Sequence, residues 1–344
     1  MKLLLTFLLS LLSIRSNEVV SYPCFSYIVY DPLCDVVIDG SNIHGQRSVA
    51  SISKIMTAIL TIEYGYLDEY ITIGDWINKV DGSSIYIDIG EVISIKDLLY
   101  GLMLRSGNDC AMSLAMFVSG NVSSFVDKMN LKAKEIGMVN SLFRNPSGLD
   151  ESDGGNISTT YDMALLMGYA MRNDIFKEVV ACREYKSYSH GLWKNKNRLL
   201  GMYEYATGGK TGYTKMAKRT LVTSAKNGDT ELIIVTFNCG GDFSYHKQLY
   251  EQTFATYRVH KVIDKGNSYI DEYVVYCKEP VYVRSVKGDK IVVNYHLIPS
   301  LSKMEISTSE SDKVVGECQI IKKNSHKTSD NFVKKAKKWF KSLY

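Results

Sequence analysis

The sequence predicts an α/β fold: an antiparallel sheet with a helical middle region, followed by a small all-β unit. Three observations predict it. Strand-like runs stand near both ends of the first 260 residues, helical spacing fills the stretch between them, and short alternating segments run from about 262 to 323.

The elements follow in order. Cys24 to Tyr30 and Asp35 to Ile38 are apolar or β-branched runs on either side of Asp31-Pro32-Leu33, a hairpin in which Tyr30 should face about Asp35. Ile52 to Tyr64 carries Ile55, Ile59 and Ile62 at helical spacing and predicts a buried helix starting near Ser51. Ser94 with Asp97 forms a capping box ahead of Leu98, Leu99, Leu102 and Met103, so another helix begins there. Further helices are expected from Cys110 to Val118, from Ser124 to Ile136 with Gly137 as stop, and from Tyr161 to Met171 behind the capping box Thr159–Asp162. Leu221 to Ala225 and Glu231 to Asn238 read as strands joined at Lys226-Asn227-Gly228-Asp229, and Phe243 to Tyr257 is helical again. In the last part Tyr273–Tyr276, Val281–Val286, Ile291–Leu297 and Val314–Ile321 read as short strands.

The 344 residues suit about two domains plus end segments, and 45% hydrophobic with 23% charged residues is ordinary globular composition. Met1-Lys2, the apolar run Leu3 to Ile14 and the polar Arg15-Ser16-Asn17-Glu18 have the form of a secretory signal over 1–16. The formal charge of +4 is uneven. Gln319 to Tyr344 holds eight lysines against Asp330, a net of +7, which leaves −3 for the rest and argues against a nucleic-acid partner. The expected organisation is 1–16, 22–260, 261–323 and 324–344.

Seven cysteines leave at least one unpaired, and none has metal-site spacing. In the expected hairpin register Cys24 lies opposite a residue near Ser41, so a Cys24–Cys34 bridge is not expected. Cys277 and Cys318 share the later region and could pair, although buried free thiols are the favoured expectation.

Three short motifs carry chemistry. Ser51-Ile52-Ser53-Lys54 puts a hydroxyl and an amine three residues apart on one helix face, where a desolvated lysine can take the serine proton. Ser106-Gly107-Asn108 offers a hydroxyl for proton relay and a carboxamide that can hold a peptide group. Lys210-Thr211-Gly212, on an expected edge strand, offers a cation and a hydroxyl for a carboxylate, with Gly212 allowing close backbone approach. Two decoys are read structurally: Ser300-Leu301-Ser302-Lys303 leads into a strand, and Ser119-Gly120-Asn121 ends a helix. The order of the three motifs is the pattern of penicillin-binding proteins and serine β-lactamases.

On these residues the sequence resembles the serine D-Ala-D-Ala carboxypeptidases, the low-molecular-mass penicillin-binding proteins. The resemblance rests on Ala50 to Thr57, Asp97 to Leu104 with Ser106 to Asp109, Asn145 to Leu149, Ser158 to Ala164, and Lys210 to Lys215. It implies a β-lactamase/transpeptidase-like domain over 22–260 and removal of the terminal D-Ala from peptidoglycan stem peptides ending in D-Ala-D-Ala. Ser51 would be the nucleophile, with Lys54 its base and Ser106 passing the proton to the leaving D-Ala. Backbone N–H groups of Ser51 and Tyr213 would form the oxyanion hole, Asn108 would hold the substrate amide, and Lys210 and Thr211 would bind the carboxylate. β-Lactams would acylate the same serine, and neither metal nor organic cofactor is implied.

Val49 and Arg105 stand where the family often has Pro, and Ser53 where it has Thr. Some members carry an arginine in the stretch equivalent to Gly241–Leu249; none stands there in this chain, and Arg219 is the candidate substitute. Two other readings remain: a serine β-lactamase, with Glu151 as the candidate deacylating base, and a non-catalytic peptidoglycan-binding or sensing protein.

In Phe332 to Tyr344 the apolar residues Phe332, Val333, Ala336, Trp339, Phe340 and Leu343 line one helical face and five lysines occupy the other. Such a helix, over 331–344, suits an anionic membrane surface, and similar tails anchor family members at the outer face of the bacterial cytoplasmic membrane.

Overall fold

The computed structural model describes residues 23–150, 154–271, 273–287, 292–308 and 311–323. The expected signal segment, Glu151 and the expected 331–344 helix lie outside the described residues.

The chain opens with β1 (Cys24–Asp31) and β2 (Val36–Ser41), then the short β3 (Arg47–Ser48) and a 3₁₀ turn at Ala50–Ser53 that runs into α1 (Lys54–Tyr64). The hairpin β4 (Tyr70–Thr72) and β5 (Val92–Ser94) follows, and α2 (Ile95–Tyr100) widens into a π-helical turn at Gly101–Arg105. Next come α3 (Asn108–Ser119), α4 (Val122–Ile136), β6 (Ile157–Ser158), α5 (Thr160–Ala170) and α6 (Asp174–Ala181). The hairpin β7 (Glu184–Lys186) and β8 (Leu192–Lys194) and the short α7 (Leu199–Met202) lead to β9 (Ala206–Thr214), β10 (Lys218–Asn227), β11 (Thr230–Cys239) and α8 (Asp242–Thr256).

Side-chain caps set several helix starts. Ser94 Oγ accepts from Asp97 N at 3.0 Å and Thr159 Oγ1 from Asp162 N at 3.0 Å, as their spacing predicts. The decoy Ser119-Gly120-Asn121 is also structural: Gly120 closes α3 at φ 73°, and Asn121 caps α4 through Ser124 N. In the other decoy, Pro299–Leu301 is a 3₁₀ turn and Lys303 pairs with Glu305 and Glu317. Neither α6 nor the β7–β8 hairpin was anticipated.

Strands β2-β1-β11-β10-β9 form one antiparallel sheet, with β9 at its edge. Along β11 the side chains alternate between two cores. Ile233, Val235 and Phe237 join the helical side, whereas Leu232 and Ile234 join the side covered by α8. On the helical side α1 packs against α3, α4, α5 and α6, which is why the apolar run Ile52 to Ile62 is buried nearly all round.

Beyond α8 lie β12 (Tyr257–Ile263), β13 (Gly266–Ile270), β14 (Tyr273–Cys277), β15 (Val281–Val286), β16 (Val293–Ile298), β17 (Lys303–Thr308) and β18 (Ser311–Lys323). Strands β13-β14-β18-β17-β16 make a second antiparallel sheet, and β12 pairs with β15. Val275, Met304 and Ile306 sit in a separate core. The chain passes between the two regions within one strand, because β12 spans residue 260 and Val259 N donates to Thr230 Oγ1 at 2.9 Å.

The cysteine expectations need correction. Cys277 and Cys318 are bonded to each other, not free, since Tyr276 pairs with Gln319 and the next pair along the ladder brings the two sulfurs together. A second bridge joins Cys24 to Cys239, which face each other across β1 and β11 from 215 residues apart. The β1–β2 register also differs. Asp31 faces Val36 across a four-residue turn whose N–H groups at Leu33 and Cys34 are held by Asp31 Oδ1, and a bulge at Val29/Tyr30 places Tyr27 opposite Ser41.

Both bridges close long loops, each contributing about 2–4 kcal/mol through restriction of the unfolded chain. Reduction should therefore lower the thermal midpoint by several degrees. Scanning calorimetry with and without a thiol reductant, on the wild type and on C24S/C239S, checks this; a midpoint indifferent to reductant would contradict it.

Candidate active site

The first motif sits on the 3₁₀ turn before α1. Ala50 adopts φ 52°, a left-handed backbone that costs a non-glycine residue about 1–3 kcal/mol, and this turns Ser51 toward the cleft. The turn is clamped from several sides. Ser53 Oγ donates to Ala50 O at 2.8 Å, Thr220 Oγ1 to Val49 O at 2.9 Å, and Thr57 Oγ1 to Pro146 O at 2.6 Å. Gly148 packs directly beneath: a Cβ there would lie 1.9 Å from Ala50 O, so only glycine fits.

Lys54 begins α1 and is fully buried. Its Nζ lies 3.0 Å from Ser51 Oγ, 2.6 Å from Asn108 Oδ1 and 2.6 Å from Ser147 O. Burial pushes its pKa down to about 7; the Lys196 charge pushes the same way, while Cys110 and Asp109 oppose it. A neutral amine has two N–H groups and one lone pair. The two shorter contacts are to acceptors that cannot donate, so they take both N–H groups and leave the lone pair directed at the Ser51 hydroxyl. An amine so placed is able to accept the proton of the Ser51 hydroxyl.

The second motif follows the π-helical turn, a geometry that recurs at functional sites. Ser106 sits at φ 64°, Gly107 precedes α3, and Asn108 is the first helical residue, two positions earlier than expected for this helix. Asn108 Nδ2 donates to Asp81 O at 2.6 Å while Oδ1 accepts from Lys54, so its carboxamide first serves to hold Lys54 and retains one N–H for a ligand. Asp109, not singled out in the sequence, accepts from Ser84 Oγ and from the N–H groups of Ile85 and Tyr86 at 2.9 Å, and so shapes the loop that presents Ser83 to the cleft.

The third motif lies on the edge strand β9. Lys210 is buried, and its Nζ donates to Ser106 Oγ at 2.9 Å and to Thr211 O at 2.8 Å. Burial, with the charges of Lys54 and Lys196, holds its pKa well below the usual lysine value. Gly212 brings the strand against the nucleophile turn, since a Cβ there would stand 3.0 Å from Ser51 N and 2.4 Å from Thr220 Oγ1. Tyr213 is exposed and pairs with Arg219 on β10.

Ser51, Ser106, Thr211, Gly212 and Tyr213 all line one cleft of about 550 Å³. Lys54, Asn108 and Lys210 lie immediately behind it, joined to it by the hydrogen bonds above. Arg219 also reaches this cleft, but its Nε and Nη2 make a two-point ion pair with Asp242 at 3.1 and 2.7 Å. The sequence reading missed Arg198, which lines the same cleft, and the carbonyl of Ser147. Nothing in a single sequence marks a backbone oxygen, although the Asn145-Pro146-Ser147-Gly148 resemblance pointed to the right loop.

A serine facing a buried lysine, with a Ser-x-Asn turn and an edge-strand Lys-Thr-Gly closing the same cleft, defines an active-serine enzyme of the penicillin-binding protein and β-lactamase class. Within that class the chain belongs to the D-alanyl-D-alanine carboxypeptidases: the model of this family, peptidase family S11, matches residues 16–241. It is thus a hydrolase, a serine-type D-Ala-D-Ala carboxypeptidase. The D-alanyl-D-alanine carboxypeptidase DacF of Bacillus subtilis is 31% identical over 276 residues, covering 74% of this chain and 70% of its own. DacC of Escherichia coli is 33% identical, covering 66% of this chain and 60% of its own. Among solved structures, a D-alanyl-D-alanine carboxypeptidase from Mycobacterium tuberculosis superposes with a TM-score of 0.65 at 28% identity, over 68% of this chain and 92% of that one. Penicillin-binding protein 5 of Haemophilus influenzae shares the fold over 88% of this chain and 98% of its own, with a TM-score of 0.77 at 23% identity.

The pH dependence follows from Lys54. Its lone pair is available above about pH 7 and is lost as the amine protonates below it. The kcat/KM for D-Ala release should therefore fall about tenfold per pH unit below that value and level off above it. A profile flat down to pH 5 would contradict a titrating Lys54.

Proposed function

We propose that Ser51 attacks the carbonyl of the penultimate D-Ala in a peptidoglycan stem peptide ending in D-Ala-D-Ala, with Lys54 as its general base. The observation that carries this reading is the Lys54 amine, buried and caged by Asn108 and Ser147 with its remaining valence toward Ser51.

The steps follow from the residues present. Neutral Lys54 takes the Ser51 proton as Oγ bonds to the carbonyl carbon. The oxyanion then forms beside the N–H groups of Ser51 and Tyr213, a reading supported by the close packing of Gly212, the residue before Tyr213, against Ser51 N. Ser106, held by Lys210, donates to the nitrogen of the departing D-Ala and recovers a proton through the lysine pair. Asn108 orients Lys54 and offers its remaining N–H to the substrate amide, and Lys210 with Thr211 receives the end of the peptide. Water, activated by the same base, hydrolyses the ester and frees the shortened peptide. A β-lactam presents a strained amide to the same hydroxyl and is retained as an ester on Ser51.

The substrate lies outside the cytoplasm, and the 1–16 segment supplies the export signal for reaching it. We further propose that the 331–344 segment, whose sequence sets aromatic and aliphatic residues and five lysines at spacings suited to two opposite faces, holds the enzyme on the anionic outer face of the bacterial cytoplasmic membrane.

Two measurements test this. Labelled benzylpenicillin should attach to the wild type and not to S51A, and D-Ala release from a synthetic pentapeptide should disappear in the same variant; labelling retained in S51A would reassign the nucleophile. Removal of residues 331–344 should shift the enzyme from sedimented membranes or anionic vesicles to the supernatant. A truncated, signal-processed form that still sediments would show that the tail is not the anchor.

A further inference from the structure

Two N–H groups must face one oxygen if Ser51 and Tyr213 are to receive the oxyanion, yet they belong to different elements. Ser51 stands on the 3₁₀ turn before α1, and Tyr213 stands near the end of the edge strand β9. The turn beyond Tyr213 has little apolar packing to hold it. Lys215, Met216 and Lys218 are exposed, and only Ala217 among these four is buried. Polar contacts must therefore fix where this turn lies.

The three residues that precede Ala50 supply them. Arg47 Nη2 donates to Met216 O at 2.9 Å and its Nε to Ala217 O at 3.2 Å, so one guanidinium spans two successive carbonyls of the turn. Contact at two points of a rigid fork sets orientation as well as distance. Ser48 reaches the same turn through a carboxylate: its Oγ donates to Asp150 Oδ1 at 2.8 Å, and Asp150 Oδ2 accepts from Met216 N at 3.3 Å. Val49 O accepts from Thr220 Oγ1 on β10. Arg47 is itself anchored, since its backbone pairs with Ser158 in the β3–β6 ladder and its guanidinium carbon stands 5.1 Å from the centre of the Phe25 ring. The hold passes back toward the cleft because Ala217 N donates to Thr214 Oγ1 at 3.0 Å, and Thr214 follows Tyr213.

We propose that Arg47 is a positioning residue for the reaction: it ties the β9–β10 turn to the segment carrying Ser51 and so sets the separation of the Ser51 and Tyr213 N–H groups. The proposal rests on the preceding reading of these two groups as the oxyanion site. It makes one side chain, outside the three motifs and without contact to the reacting atoms, responsible for aligning two of their elements. Attack on the peptide and hydrolysis of the ester both pass through an oxyanion, so kcat depends on this alignment whichever step limits it.

The experiment measures D-Ala release from diacetyl-L-Lys-D-Ala-D-Ala by the full-length wild type, R47Q and R47K. Labelled benzylpenicillin, allowed to react to completion, counts the acylable sites in each preparation. In R47Q, kcat per acylable site should fall roughly 10- to 100-fold, less than for outright loss of an oxyanion donor because the N–H is displaced and not removed. KM should change little, and the fall in rate below about pH 7 should stay where Lys54 sets it. R47K retains a donor for one carbonyl and should lose less. Were Arg47 merely structural, fewer sites would acylate and each would turn over at the wild-type rate; that outcome in R47Q overturns the proposal, as does a loss confined to KM or a displaced pH midpoint. If R47Q does not fold, as judged by its thermal midpoint, the same comparison in R47K decides. A wild type that releases no D-Ala would contradict the carboxypeptidase reading instead, independently of Arg47.

Discussion

The site depends on a buried amine. Removing a charged ammonium from water costs several kcal/mol even after relaxation, so the Lys54 position is tolerable only if the amine is neutral or fully hydrogen-bonded. Here it is both driven toward neutrality and surrounded by Ser51, Asn108 and the Ser147 carbonyl. These partners come from a 3₁₀ turn, the start of a helix and a loop that lie far apart in the chain. Burying Ile52, Ile55, Met56 and Ile59 on the same helix, each worth about 1.5–3 kcal/mol, outweighs what the amine costs. The packing that stabilises α1 is consequently also what desolvates the Lys54 amine beside Ser51.

The second lysine follows from the first. Two ammonium groups cannot both be charged in so dry a space, and the burial of Lys210 together with the nearby Lys54 holds it down. Each lysine then holds one serine, Lys54 facing Ser51 and Lys210 donating to Ser106. Both serine segments contain a residue in left-handed backbone, Ala50 next to Ser51 and Ser106 itself. Strain of this kind persists only where surrounding contacts over-determine it; the Gly148 and Thr220 contacts supply that excess around Ala50, and the Lys210–Ser106 hydrogen bond with Gly107 N to Gly101 O supplies it at Ser106.

Much of this was legible in the sequence because it is local. Helical spacing identified α1, α4 and α5, capping boxes located Ser94 and Thr159, and a lysine three residues after a serine on one helix must share its face. Neither decoy misled, since their contexts, a helix end and a strand start, were also local. What sequence could not show is set by pairing between distant strands. The Cys24–Cys239 bridge depends on β1 lying beside β11, and the Cys277–Cys318 bridge on β14 lying beside β18, neither of which follows from spacing. The same holds for Arg219. Its carboxylate partner, Asp242, lies at the start of α8 and becomes its neighbour only once β10 and β11 pair and the chain turns back.

That turn ties the far wall of the cleft to the covalent frame. Cys239 ends β11 and is bonded to the first residue of β1, Gly241 turns the chain at φ 68°, and Asp242 and Phe243 then open α8. The two residues that face Arg219 and Arg198 are thus mounted within four positions of a disulfide that spans two central strands. On the opposite wall, Lys54 begins a helix buried nearly all round and Ser51 sits on the 3₁₀ turn that runs into it. The edge strand β9 between these walls has only β10 as a partner in the sheet, which leaves its other side open where Gly212 and Tyr213 face the cleft. A ligand entering there meets groups mounted on rigid elements on both sides, an arrangement that lowers the ordering cost of binding.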